Sequence, residues 1–166
     1  MRSLLLGASS LFLSVAALAQ PGTAHVGTTG IDRDSMAAIE AKAKTLLAQA
    51  QSSPSGLAVV TIKEYPGHLT MLAVRTKSGS VEMHAGFNDI FFVLDGEATE
   101  VTGGTIVNPT EVSPGETRGD KLEGGVSTPM HKGDVIHIDP NIPHQTVLPP
   151  GATFTYYVVK IASGKK

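Results

Sequence analysis

The fold turns on the stretch Val81-Glu82-Met83-His84-Ala85-Gly86-Phe87-Asn88-Asp89-Ile90-Phe91-Phe92-Val93-Leu94-Asp95-Gly96. Two β-rich runs flank a short turn, Ala85 to Asn88. Side chains alternate along a strand, so Glu82 and His84 share one face at the end of the first run. Asp89 opens the second run, where a hairpin partner would bring it to the same point. Imidazole and carboxylate donors meeting there suit Mn, Fe, Ni or Zn. Phe91 and Val93 share the parity of Asp89 and are expected to line the interior. Phe92 and Leu94 are expected in the core, and Asp95-Gly96 reads as a turn.

Downstream, Gly133-Asp134-Val135-Ile136-His137-Ile138-Asp139-Pro140-Asn141-Ile142-Pro143-His144 repeats the logic. A strand ends in a Pro/Asn turn, and His144 opens the next strand, well placed to meet a site built elsewhere. His137 shares a face with Val135 and Asp139. It is either a cavity base or a half-exposed sheet histidine. His25, His68 and His131 fall in the leader or at turns and are read as surface residues.

The rest of the chain fits a β framework. Short runs at 57–64, 69–77, 80–84, 90–94, 98–102, 105–107, 134–138, 145–148 and 153–161 are separated by Gly, Pro, Asn or Asp signals. Such spacing predicts an all-β antiparallel sandwich or barrel of jelly-roll type. The 18 Gly and 10 Pro in 166 residues agree with a turn-rich β domain and disfavour a helical bundle. Residues 35–51 differ, with Met36, Ile39, Ala43, Leu46, Leu47 and Ala50 at helical spacing in an Ala-rich run. One amphipathic helix is expected there, capped by Asp34 or Ser35. Residues 108–129 show no strand pattern and read as a long loop, either a lid or a solvated excursion.

The N-terminus carries Arg2, an apolar run diluted by Ser and Gly, and the small-x-small end Ala17-Leu18-Ala19. These are the parts of a secretory signal peptide cleaved after Ala19. The apolar run falls short of the roughly 20 residues a membrane span needs. The expected organisation is a signal peptide at 1–19, a flexible leader at 20–34, a helix at 35–51 and a β domain at 57–161. The mature chain is then exported, periplasmic or secreted, with no membrane anchor. A net charge of −2 gives no electrostatic case for nucleic acid. The absence of Cys excludes disulfides, Fe–S clusters, thiolate nucleophiles and Cys-ligated zinc.

With both motifs in view, the chain resembles the cupin superfamily. Cupin motif 1, G-x5-H-x-H-x(3,4)-E-x6-G, is met here by Glu82-x-His84-x4-Asp89-x6-Gly96. Motif 2, G-x5-P-x-G-x2-H-x3-N, is met by Gly133-x5-Asp139-x-Asn141-x2-His144. Two spaced motifs in the right order on a β background are fairly specific. The resemblance implies a cupin-type jelly-roll barrel (a double-stranded β-helix) over 57–161, with the helix preceding it. It places His84 and His144 at the family's second and third His ligands, Asp89 at its Glu and Glu82 at its first His. Asn141 stands where the family has Gly, and Asn tolerates the left-handed turn conformation.

The implied centre has His84, His144, Asp89 and Glu82 as ligands, near the two-His, one-carboxylate arrangement of non-haem iron. Extra carboxylate favours Mn or Fe, with Zn or Ni as alternatives. Glu82 is either a fourth ligand or a catalytic base, and His137 is the other candidate base. Fold does not choose the reaction, because cupins cover dioxygenases, isomerases, decarboxylases and lyases. The leading expectation is a metal-dependent enzyme on a small molecule, with oxidoreductase chemistry slightly favoured. The alternative is a non-catalytic small-ligand-binding cupin with a structural metal or none. The resemblance also implies that a homodimer is common, and an edge strand at 57–64 would suit one.

Overall fold

The computed structural model describes residues 30–164. The expected signal peptide and residues 20–29 of the leader lie outside the described residues. Helix α1 (Met36–Ser52) is one residue offset from its expected range. Ser35 caps it, its hydroxyl accepting the Ala38 N–H at 3.2 Å. Ile39, Leu46 and Ala50 are buried, Ala43 and Leu47 partly so, and Met36 is exposed. No helix among the described residues is long and apolar enough to cross a membrane.

The strands among the described residues are β1 (Leu57–Tyr65), β2 (His68–Arg75), β3 (Val81–His84), β4 (Phe87–Thr102), β5 (Thr105–Val107), β6 (Thr110–Ser113), β7 (Glu116–Gly119), β8 (Lys121–Glu123), β9 (Val126–His131), β10 (Val135–Ile138), β11 (His144–Val147) and β12 (Phe154–Ala162). All pair antiparallel. One wall holds β1, β2, β12, the first part of β4, and β10. The other holds β9, the second part of β4, β11, β3, β7 and β6. Strands β5 and β8 form a separate ribbon. This is the expected all-β jelly roll with one N-terminal helix.

The long strand β4 joins the two walls and corrects one expectation. Asp95-Gly96 was expected as a turn between two strands, yet the chain runs on through it. A bulge sits there, where the register against β12 shifts at Tyr156 and Leu94 is left without a partner. Gly96 takes φ +81. Inward parity changes across the bulge. Asp89, Phe91 and Val93 are buried before it, Ala98 and Glu100 after it. An extra residue bends a strand and re-aims its side chains, so β4 can leave one wall and enter the other. Phe92, expected in the core, is instead 39% exposed on the outer face.

The segment 108–129 is a second correction. It contains β6, β7, β8 and most of β9. Its side chains are mostly exposed or half-buried, so it lacks the apolar alternation that marks a strand in sequence. Backbone pairing holds it, with β7 laid against β3 and β9 against β4. A third correction concerns β3 and β4. They are consecutive but do not pair, because β3 lies between β11 and β7 in the opposite wall from the start of β4.

Two apolar clusters hold the domain. Between the walls lie Ala73, Phe91, Val93, Met130, Phe154 and Tyr156 with their neighbours. Outside the first wall, α1 packs Ile39, Leu46 and Ala50 onto Ala58, Leu72 and Val74. Strand β2 therefore serves both layers, with Leu72 and Val74 toward the helix and Ala73 toward the interior. Beyond the inner cluster, the interior turns polar at one end. That change of composition makes the site.

Candidate metal centre

The register of the second wall assembles the polar cluster. Glu82 on β3 pairs directly with His144 on β11 and, on its other side, with Arg118 on β7. His84 pairs with Glu116 on β7. Cross-strand neighbours on one face lie within side-chain reach, so the three strands present one continuous polar strip. Glu82, His84 and His144 each offer one ligand atom, and these atoms all lie within 4.8 Å of one another.

The turn before His144 is tied to the same strip. Asn141 takes φ 62, the left-handed conformation expected of it. Its N–H donates to the His84 carbonyl at 2.8 Å, and the Gly103 N–H donates to the Pro143 carbonyl at 2.8 Å. His144 is 2% exposed. Its Nδ1 donates to the Ile142 carbonyl at 2.9 Å, which leaves Nε2 as the lone-pair nitrogen of the neutral ring. That Nε2 is buried without a hydrogen-bond partner, 3.6 Å from the Glu82 carboxylate. Buried polar atoms are rarely left unpaired, and an imidazole nitrogen facing a carboxylate and a second imidazole could serve as a metal ligand.

His84 is held the same way. Its Nδ1 lies 2.5 Å from Glu116 Oε2, a carboxylate–histidine pair that turns Nε2 toward the site. The two imidazole rings meet edge to face, with centroids 5.1 Å apart. Burial, and then the Lys160 ammonium, hold the His84 imidazole below its usual pKa, although Asp89 and Glu116 pull the other way. The ring is thus kept neutral, as a metal ligand must be. Arg118 pairs with the second oxygen of Glu82.

Asp89 comes to His84 as the sequence expects, though not as the hairpin partner of β3. It is buried and lies 3.4 Å from His84 Nε2, reaching it from the opposite wall. Both of its oxygens accept from Lys160 Nζ at 2.8 Å, across the β4–β12 pairing. The carboxylate grouped with the two His rings is therefore Glu82, while Asp89 forms an ion pair in the cavity wall. His137 is separated from the cluster. Its side chain is 56% exposed on β10, where Asp139 lies 3.8 Å away. Phe91 lines the cavity as expected.

Sequence reasoning missed Glu116, Arg118, Arg75, Tyr156, Lys160 and Glu100. The period-two pair Glu116 and Arg118 was a signal, hidden in a segment read as a loop. Lys160, a lone cation in the apolar run 153–161, was another. Together with Glu82, His84 and Asp89, most of these residues surround a cavity of about 250 Å³, walled on one side by Leu57, Val59 and Met71. That is smaller than a typical drug-sized pocket and suits a small metabolite.

Glu100 lies deeper and is fully buried. Thr146 donates to one of its oxygens at 2.7 Å, and the other has no partner. Burial pushes its carboxyl up to about 7, despite Thr146, His144 and Arg75. The folded state thus holds this proton longer than the unfolded chain does. The ionisation penalty is absent below pH 4.5, grows as pH rises toward 7 and is fully present above it. Its size is about 3 kcal/mol. Glu100→Gln in metal-free protein is expected to gain more stability at pH 8 than at pH 5, measured by urea unfolding. Equal gains at both pH values would contradict this placement of the charge.

No family model and no curated protein matches this chain. Solved structures do. An oxalate oxidase is 15% identical, with 67% of this chain and 53% of that chain covered and a TM-score of 0.49. A predicted oxalate decarboxylase from Thermotoga maritima is 15% identical over 64% of this chain and 81% of that one, TM-score 0.48. A cupin 2 conserved barrel domain protein from Salinispora arenicola is 20% identical over 64% and 76%, TM-score 0.45. The described residues themselves form the antiparallel jelly roll that the sequence leads one to expect. This chain spans about half the length of the oxalate oxidase it matches.

Proposed function

We propose that this protein is an exported cupin metalloprotein, and an enzyme acting on a small molecule, whose Glu82, His84 and His144 hold one divalent transition metal. The observation that carries the reading is His144 Nε2, buried and partnerless, aimed at a carboxylate and a second lone-pair imidazole. The donor set of two imidazoles and one carboxylate favours Mn or Fe, with Zn or Ni as alternatives. Export rests on the N-terminal sequence, and a homodimer through the β1 edge remains part of the proposal.

Such a metal supplies Lewis acidity, or activates water or O2, at positions the protein leaves open. The chain's own residues do the rest. Glu116 and the Ile142 carbonyl orient the two imidazoles. Arg118 and Lys160 hold the Glu82 and Asp89 carboxylates in place. Phe91, Val158 and Met71 narrow the cavity and limit water. Asp89, 3.4 Å from His84 Nε2 and held by Lys160, adds a carboxylate to the cavity wall beside the site.

An enzyme and a structural site differ in one measurable respect, the open coordination position. Mn(II)-loaded protein is expected to enhance water-proton relaxation through at least one exchangeable metal-bound water. A loaded centre with no such water would favour the non-catalytic alternative.

A further inference from the structure

Arg75 is the cation that the cavity leaves over. It closes β2 and is 6% exposed. Its Nε donates to the Tyr156 hydroxyl at 3.0 Å. The guanidinium lies flat over Gly79, so close that a Cβ there would sit 2.9 Å from Nη1. The other cations of the cavity are paired, Arg118 with Glu82 and Lys160 with Asp89, while Glu116 is held on the neutral His84 imidazole. Arg75 has no ion-pair partner among the described residues. Glu100 feels its charge but makes no hydrogen bond or ion pair to it, accepting instead from Thr146. Arg75 and Arg118 both line the cavity. Two guanidiniums facing one cavity repel unless an anion lies between them. A buried charge without a counter-ion is costly, so the missing partner is expected from outside the chain.

We infer that the ligand of this cavity is a small carboxylate, bound by the Arg75 guanidinium beside Tyr156, with its aliphatic part against Leu57, Val59 and Met71. This deepens the proposed function and rests on it for the identity of the neighbouring centre. The planar fork of Arg matches a carboxylate in two parallel hydrogen bonds. A metal held by Glu82 would strengthen the preference. It adds positive charge beside the cavity.

Isobutyrate and isobutyramide share one shape and differ in charge. Titration calorimetry with both, on metal-free and Mn(II)-loaded protein, tests the inference. Isobutyrate is expected to bind the wild type at least about tenfold more tightly than the amide. Arg75→Gln is expected to reduce the acid to the level of the amide with metal uptake unchanged. Should that variant not fold, Arg75→Lys keeps the charge and loses the fork, and binding is expected about threefold or more weaker. No isobutyrate binding to the wild type, equal binding of acid and amide, or variants that bind the acid like the wild type would each overturn it. Metal uptake is read separately. A chain that takes up no Mn(II) but binds isobutyrate through Arg75 would refute the metal centre and keep the carboxylate site.

Discussion

Gly96→Val is expected to unfold much of the protein at temperatures where the wild type is fully folded. Gly96 holds φ +81 at the bulge that carries β4 from one wall to the other. A side chain in that region costs roughly 1–2 kcal/mol in backbone strain alone. The larger cost is steric. A Cβ at Gly96 would lie 2.1 Å from the Thr153 carbonyl oxygen, at the start of the β12 pairing. Backbone cannot yield there without parting β4 from β12. The combined loss is on the order of 4 kcal/mol or more, a large share of the 5–15 kcal/mol typical of a domain. Thermal unfolding should fall by roughly 15 °C. Gly67→Ala is the control. Gly67 has φ +83 in the β1–β2 turn but nothing within 4 Å of an added Cβ. It should show the strain alone, about 1 kcal/mol. Equal losses for the two variants would contradict the bulge as the device that couples the walls.

The second large effect concerns the metal. His84→Ala and His144→Ala are each expected to lower metal affinity by more than about 100-fold. Loss of a group that merely orients a ligand costs about 10- to 100-fold, and loss of the ligand itself should exceed that. The His144 change removes the partnerless Nε2 outright, and the His84 change also strands Glu116. Elemental analysis of the purified variants beside the wild type gives the answer. Folding must be checked in parallel, because both rings are buried, yet His137→Ala offers a clean comparison. His137 is exposed on the outer surface, so its loss should leave metal content unchanged. Unchanged metal in both His84→Ala and His144→Ala would remove the proposed centre.

Much of the architecture was legible because strands with one buried face write period-two alternation into the chain. The helix and the strands of the first wall, with β3, β10 and β11, fall within a few residues of their expected ranges. What was illegible has two physical causes. At Asp95-Gly96, turn chemistry and bulge chemistry use the same residues, since both need a glycine at positive φ. Only the switch of inward parity, from Asp89, Phe91 and Val93 to Ala98 and Glu100, tells them apart. In 108–129, strands held by backbone pairing carry polar side chains on both faces, and alternation has nothing to report.

The site shows the same division. Motif spacing brought out Glu82, His84 and His144, because strand parity and a rigid turn fix where they point. Asp89 passed the same test and was given a different partner by Lys160, a residue 71 positions away that no local pattern links to it. Glu116 and Arg118 came into view only once β7 was seen to lie against β3. Charge partners across strands depend on register, and register is a property of the whole sheet.

The central claim is that Glu82, His84 and His144 share one metal ion. Its most direct test is anomalous X-ray diffraction from crystals of the protein purified with its own metal. The account predicts one strong peak, bounded by Glu82, His84 Nε2 and His144 Nε2, with Asp89 still paired to Lys160. A fully ordered site with no peak, or a peak bound by Asp89 in place of Glu82, would contradict it.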